Sequence, residues 1–339
     1  MVGLGLWSRR RADPAGLVRH LVAMQAQEHA YARWSIGQRA RTGANAVDGA
    51  FDAGDILRTH VLRPTWHYVA SDDLPWLLTL TGARIDAANA RRYTELGLDA
   101  RTRRRADDII GAAVAEGPQT RHELAAVLQR RRIATDGQRL PHLLLSAELH
   151  AIVCSGPMRG KQHTYAAFDA RVKRAPARAQ DDPLAELARR WFSTRGPATL
   201  RDFTWWSGLR AADARRALAA VESELSSYEH DGRTYWFDEW RRASPGCRVD
   251  LVQCYDEVII SYTESRDVLA TGDVAFPVPF GGGGLPHVIL VDGRLLGRWR
   301  ARRTTAGAVV ETRLARPVDE REQAALAAAV ERFERFERT

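Results

Sequence analysis

Apolar residues recur along this chain at helical spacing in some stretches and at strand spacing in others, and the alternation divides it. Leu17, Leu21 and Met24 share one face of a helix that Asp13 would cap and Pro14 would open. Gln25 and Gln27 stand where that helix runs out. Ile109, Ile110, Ala113 and Val114 make a second stripe, and Leu184, Leu187 and Trp191 a third. Two further helices and a pair of short strands are expected after the second and third stripes. After the second the helices lie near 124–131 and 140–150, with a strand-like run at 151–154, turn residues at 155–160 and a return strand at 163–168. After the third they lie near 200–206 and 211–221, followed by a hairpin turning at Asp231-Gly232. The first stripe has a looser version: helices near 30–41 and 47–59, then a strand over 63–69. Asp72 and Asp73 then cap a long helix that reaches about Leu96.

The junctions repeat too. Residues 117–124 read Gly-Pro-Gln-Thr-Arg-His-Glu-Leu and residues 196–203 read Gly-Pro-Ala-Thr-Leu-Arg-Asp-Phe, the two threonines standing 79 apart (199 − 120). Each threonine with the acid three residues on predicts a capping box, in which hydroxyl and carboxylate satisfy each other's backbone N–H. Three helices closed by a two-stranded wing describe a winged helix. From residue 248 the pattern changes to strands at 249–253, 258–262, 288–291 and 295–299, before a last helix over about 318–336. Gly281–Gly284 reads as a flexible loop, because no helix and no Lys follow to make a phosphate cradle. The expected fold is α+β and mainly α: three tandem winged-helix modules (1–97, 98–180 and 181–247) and a β-rich, barrel-like C-terminal region (248–339).

Charge adds little to this. The net charge of +8 and pI of about 9.8 favour a polyanionic partner. Only Lys161 and Lys173 are lysines, however, so the surplus also fits a general preference for Arg. Three cysteines form no Cys-x-x-Cys pair and the ten histidines show no His-Glu-x-x-His spacing, so neither a metal nor another cofactor is expected. No apolar run spans a bilayer and no secretory leader is apparent, so the reading is cytoplasmic.

Six motifs then occur in order: Gln25-Ala-Gln27, Leu62-Arg-Pro-Thr-Trp-His67, the Gly-Pro-x-Thr repeats, Trp205-Trp-Ser-Gly208, Tyr255-Asp-Glu257, and Val291-Asp-Gly-Arg294 with Gly297-Arg-Trp299. Over nearly its whole length the chain resembles the AlkZ-like tandem winged-helix DNA glycosylases, in the branch with Gln-x-Gln rather than Gln-x-Asp. Those bacterial enzymes excise bulky N7-alkylguanine adducts and interstrand crosslinks, some of them protecting producers of genotoxic antibiotics. The resemblance implies that Gln25 and Gln27 are catalytic. It also implies that the partner is double-stranded DNA carrying an alkylated purine. A monomer is expected, its tandem modules in one chain resembling a clamp around one duplex segment. Pro64 departs from it, standing where a small residue such as Gly is expected.

The chemistry can be argued without the family. A guanine alkylated at N7 is already cationic and leaves readily. Its removal needs a positioned water and stabilisation of a positive sugar. A glutamine brings a carbonyl acceptor and an NH₂ donor without a titrating group, and two can orient one water and aim carbonyl dipoles at the sugar. Strand alternation puts Arg63, Thr65 and His67 on one face, where they would hold phosphate or support the amides. Glu28 and His29 could instead supply a base, with less to point to them. Arg159, Lys161, Arg233, Arg298 and Arg300 are the expected phosphate contacts, which position a protein without reading sequence. Two other readings compete. A non-catalytic regulator would want paired half-sites. A nuclease would want a carboxylate cluster around metal, whereas acidic pairs such as Asp256-Glu257 are isolated.

Overall fold

Helix starts in this protein are set by short polar side chains, and three of them open units built to one plan. The computed structural model describes residues 1–7, 13–173, 181–241, 243, 246–270, 286–304 and 307–339, and every structural statement here concerns these; the Gly281–Gly284 segment lies outside them. Asp13 accepts the Gly16 N–H and Pro14 follows, so α1 (Pro14–His20) begins where expected. The chain then runs through β1 (Ala23–Gln25), α2 (His29–Ala40), α3 (Ala44–Asp52), β2 (Ile56–His60) and β3 (Trp66–Ala70). After α4 (Leu74–Ala88) and α5 (Ala90–Glu95) the sequence of elements recurs: α6 (Ala100–Ala115), β4 (Gln119–Thr120), α7 (Arg121–Arg130), α8 (Arg139–Leu149), β5 (Val153–Ser155), β6 (Thr164–Ala167) and a short α9 (Phe168–Arg171). It recurs again as α10 (Pro183–Arg195), α11 (Leu200–Ser207), α12 (Ala211–Ala219), β7 (Ser226–His230) and β8 (Arg233–Phe237).

The sheets follow the same plan. The first has the antiparallel order β1-β3-β2 and the second β4-β6-β5. In the third unit the strand before α11 shrinks to a single bridge, Ala198 to Trp236 on β8. Thr120 and Thr199 both close complete capping boxes, with Glu123 and Asp202, as their spacing predicts.

Three expectations need correction. Residues 56–60 are strand, not the end of a helix: Gly54 at φ +81° stops α3, and Ile56–His60 pairs along β3. Residues 258–262 are not a strand, because Asp256 caps the Val258 N–H and starts the short α13 (Glu257–Ile260). The C-terminal region is not barrel-like. β9 (Val249–Val252), β10 (Val288–Val291), β11 (Arg294–Thr304) and β12 (Gly307–Leu314) form an open antiparallel sheet in the order β12-β11-β10-β9. Closing a barrel would take more strands than these four. The last helix, α14 (Glu320–Arg338), packs instead on β9, β12 and α2.

Apolar packing joins this sheet to the first unit. Trp34 and Ile36 of α2, Phe333 and Phe336 of α14, and Leu251, Ile289 and Trp299 of the sheet share one core. The back of the first sheet, with Leu57 and Val69, packs into a second core with Trp191, Phe203 and Trp206 of the third unit. The first unit is therefore wedged between two others, and its sheet lies where they meet.

Candidate active site

The pair Gln25 and Gln27 falls at the end of β1 and in the turn after it, not at a helix end. β1 is short because it is gripped from both sides. On one side it pairs with β3, Gln25 opposite His67. On the other, the Gln25 N–H donates to Glu257 Oε1 at 2.9 Å. Two apolar residues in the left-handed region flank the site, Val22 (φ +66°) before β1 and Leu62 (φ +63°) before Arg63. For a β-branched or bulky residue that conformation costs of order 1–3 kcal/mol and persists only where its surroundings impose it.

Gln25 is buried, and its Oε1 accepts from Arg63 Nη2 at 3.1 Å. Gln27 is exposed, and its Oε1 takes a long contact, 3.4 Å, from the Trp66 N–H. The Trp66 ring carries the Arg58 guanidinium at 4.2 Å and packs on the His60 ring at 4.0 Å. Arg58 also donates to the Ala26 carbonyl at 3.0 Å, fixing the middle residue of the motif. Arg63, Thr65 and His67 do lie beside Gln25, but not by strand alternation: β3 begins only at Trp66, and Arg63 and Thr65 stand in the irregular segment before it.

This cluster is unusual in its unmet hydrogen bonds. Arg63 Nε, Thr65 Oγ1 and His67 Nε2 are buried without a partner among the described residues. A buried polar atom left unpaired costs about 1–3 kcal/mol, so three together mark a place made for something else. His67 Nδ1 lies 2.9 Å from the Thr65 carbonyl and must be the donor there, which leaves Nε2 as an acceptor. Burial, and then the Arg63 charge, hold the His67 pKa well below its usual value, so the ring is neutral.

Beneath β1 lies an ion pair that sequence reasoning missed. Arg195 and Glu257 are both fully buried, with Nη2 and Oε2 at 2.6 Å. Glu257 also accepts from Trp206 Nε1 at 2.7 Å and Ser261 Oγ at 2.8 Å. Burial would raise its pKa, but the Arg195 charge and these hydrogen bonds outweigh that and hold the carboxyl below its usual range. Arg195 stacks on Trp206 at 4.4 Å, and its Nη2 also donates to the Ala23 carbonyl. Trp206 is thus core, as expected, whereas its neighbour Trp205 is 52% exposed. Gly208 completes the motif. At φ +64° it ends α11, and a side chain there would meet the Leu62 carbonyl at 2.7 Å. The neighbouring Asp256 makes a parallel pair with the buried Arg39, at 2.6 Å. The acidic pair read as isolated therefore anchors two buried arginines.

The expected phosphate contacts lie on other elements. Arg159 and Lys161 are exposed between β5 and β6; Arg159 pairs with Glu123 at 2.7 Å. Arg233 donates to the Glu264 carbonyl at 3.0 Å, tying β8 to the loop after α13. Arg298 is half-buried on β11, and Arg300 is exposed and pairs across the strands with Glu311 at 2.6 Å. His29 is taken up by Tyr68, whose hydroxyl lies 2.5 Å from Nδ1.

Glu28, Cys254 and His287 bring one donor atom each within 4.8 Å of one another, a spacing that could suit a divalent cation. The tautomer argues against it. The Cys254 N–H donates to His287 Nδ1 at 3.0 Å, so the ring proton sits on Nε2, the nitrogen that would have to ligate.

The AlkZ-like DNA glycosylase family matches residues 18–336. The chain belongs to that family. The enzyme is therefore a DNA glycosylase, a hydrolase of N-glycosyl bonds, and the regulator and nuclease readings fall away. The DNA glycosylase AlkZ of Streptomyces sahachiroi has a similar structure, with a TM-score of 0.78 at 18% identity, covering 99% of this chain and 96% of that one. No curated protein matches the sequence. No described helix of this glycosylase is long and apolar enough to cross a membrane.

Proposed function

We propose that this glycosylase hydrolyses the N-glycosidic bond of N7-alkylated guanine in duplex DNA, with Gln25 and Gln27 positioning the attacking water. The observation that carries this reading is the group around Gln25. The Gln25 backbone N–H is held from below by Glu257 and its side-chain carbonyl from the side by Arg63, next to three polar atoms with no partner among the described residues. A carbonyl oxygen has two lone pairs, so each glutamine can accept from water while keeping the bond it already makes. The neutral His67 adds no positive charge to a site where the sugar becomes cationic. The three units of common plan serve as tandem winged-helix modules (residues 1–97, 98–180 and 181–247) against the sheet region (248–339). Arg159, Lys161, Arg233, Arg298 and Arg300 contact phosphates, and the protein works as a cytoplasmic, nucleoid-associated monomer. Bulky adducts and crosslinks, including those of a producer's own genotoxin, are the substrates this reading favours.

Single-turnover excision of N7-methylguanine, read out by alkaline cleavage of the abasic product, tests it. Gln25→Ala and Gln27→Ala should each bind DNA normally and lose roughly 10²–10³ in rate, the size of a lost preorganised hydrogen-bonding group. The double variant should lose less than the product, because both groups act on one water. Wild-type rates in both single variants would show the pair to be structural.

A further inference from the structure

Glu28 directly follows Gln27 and is the N-cap residue of α2, yet its side chain makes no capping bond. In the other two units the residue in that position caps its helix. The Glu28 carboxylate turns elsewhere. Cys254 Sγ lies 3.5 Å from Oε1, and His287 Nε2 lies 3.5 Å from Oε2.

Both partners are donors. The Cys254 N–H on Nδ1 places the ring proton on Nε2, facing Glu28. Burial, helped by the Arg303 charge, lowers the His287 pKa to about 4, so the ring stays neutral. Burial pushes the Cys254 thiol up, so it keeps its proton. Tyr31 lies over the His287 ring at 3.9 Å, and Trp299 at 5.4 Å, so the ring cannot turn away. One carboxylate oxygen thus accepts from the Cys254 thiol and the other faces His287 Nε2 at 3.5 Å, while the side chain remains 43% exposed.

Stability does not explain this arrangement. A partly exposed contact of this kind contributes little, and the position forgoes the kind of capping bond that stabilises α7 and α11. An anion there also repels the phosphates of the substrate.

We propose that Glu28 is a catalytic residue, the general base of the hydrolysis, a role that rests on the N7-alkylguanine reading above. The water oxygen forms a bond to C1′ as the C1′–N9 bond breaks. The electron pair of that bond goes to N9 and neutralises the cationic base. The water proton passes to the Glu28 carboxylate and from there to solvent. Before the transfer, the same negative charge stabilises the positive sugar. Gln25 and Gln27 aim the water, and Glu28 accepts its proton.

The test uses the full chain, with single-turnover excision of N7-methylguanine, affinity for undamaged duplex, and thermal melting measured on each variant. Glu28→Gln should slow excision by about a hundredfold, the lower end of what general bases contribute. Its melting should be unchanged and its grip on undamaged duplex equal or tighter, because a negative charge is gone. His287→Phe should lose about tenfold, since the carboxylate remains but is no longer oriented. A wild-type rate in Glu28→Gln, alongside lost excision in Gln27→Ala, overturns this role and leaves the glycosylase reading standing. A rate loss matched by a fall in melting temperature or in DNA affinity also overturns it. Failure of the wild type to release N7-methylguanine overturns both.

Discussion

The first and second units use the same order of strands and helices, yet they join strand to helix in opposite ways. In the second, β4 runs directly into α7, and Thr120 with Glu123 closes the junction in a capping box. In the first, three residues separate β1 from α2, and the N-cap side chain does not cap. The closed junction satisfies its own backbone. The open one is held from outside, by Glu257 below β1, Arg58 on the Ala26 carbonyl and Arg63 on Gln25. Freed from capping, its polar side chains are available for chemistry. On the reading proposed above, a shared scaffold became a site where one local rule was relaxed and distant residues took over the support.

The largest effect should come from removing that support. Arg195→Ala leaves Glu257 charged and buried, and breaking such a pair costs about 3–5 kcal/mol. Denaturant unfolding should show this loss. A change under 1 kcal/mol would mean that the first junction supports itself like the second. Thr120→Ala is the matching cut in the closed junction. It should cost about 1 kcal/mol by unfolding and leave the excision rate alone. A drop in rate there would mean that the two junctions are not separate in function.

Acid should sharpen the contrast. His29 and His67 of the first unit, His163 of the second and His287 of the sheet region all have pKa values lowered by burial from an ordinary 6.5, to about 2 for His29 and about 4 for His163 and His287. Each binds a proton more readily unfolded than folded. Their stabilisation is complete above about pH 6.5 and declines as pH falls toward 4. His150 of the second unit works the other way, because its hydrogen bond to Asp107 raises its pKa. Its share is complete below pH 6.5 and is lost at higher pH as the raised value is passed. Melting followed from pH 7.5 to 4.5 should therefore fall, and hydrogen exchange should loosen the first unit before the second. A flat profile would refute the burial argument. The smallest effect is expected at Arg300→Ala, which removes an exposed pair worth under 1 kcal/mol. Stability should hardly move, while the slope of log affinity against log salt should fall by about one.

Much of the scaffold was legible in the sequence, because capping residues and stripes act locally. Thr120, Thr199 and Asp13 mark helix starts by chemistry that involves only the next few residues. The strand at 56–60 was not legible, since its conformation comes from pairing with β3 rather than from its own pattern. Nor was the open sheet, whose covering by α14 is a tertiary fact. The paired amides were legible as a candidate pair, but alternation along 63–67 does not account for their neighbours, because the strand starts only at Trp66 and Arg63 and Thr65 come from the irregular segment before it. Arg195 and Arg39 escaped notice, because an arginine on an amphipathic helix reads as a solvated face. Only their partners, more than sixty and two hundred residues away, show otherwise.

The packing of α14 on α2 has a consequence for how the protein is made. Phe336 sits where a side chain on Gly37 would have to be, Phe333 and Phe336 pack on Trp34, and the Asn45 N–H donates to the Thr339 carbonyl. The helix that presents Glu28 is thus covered by a segment that is made long after it. The second unit, whose core draws on residues 93–165 with Trp66 and Ala167 beside it, has its main parts available earlier. The nascent chain therefore carries the Gln25–Gln27 motif well before the α14 surface that covers α2 has been made.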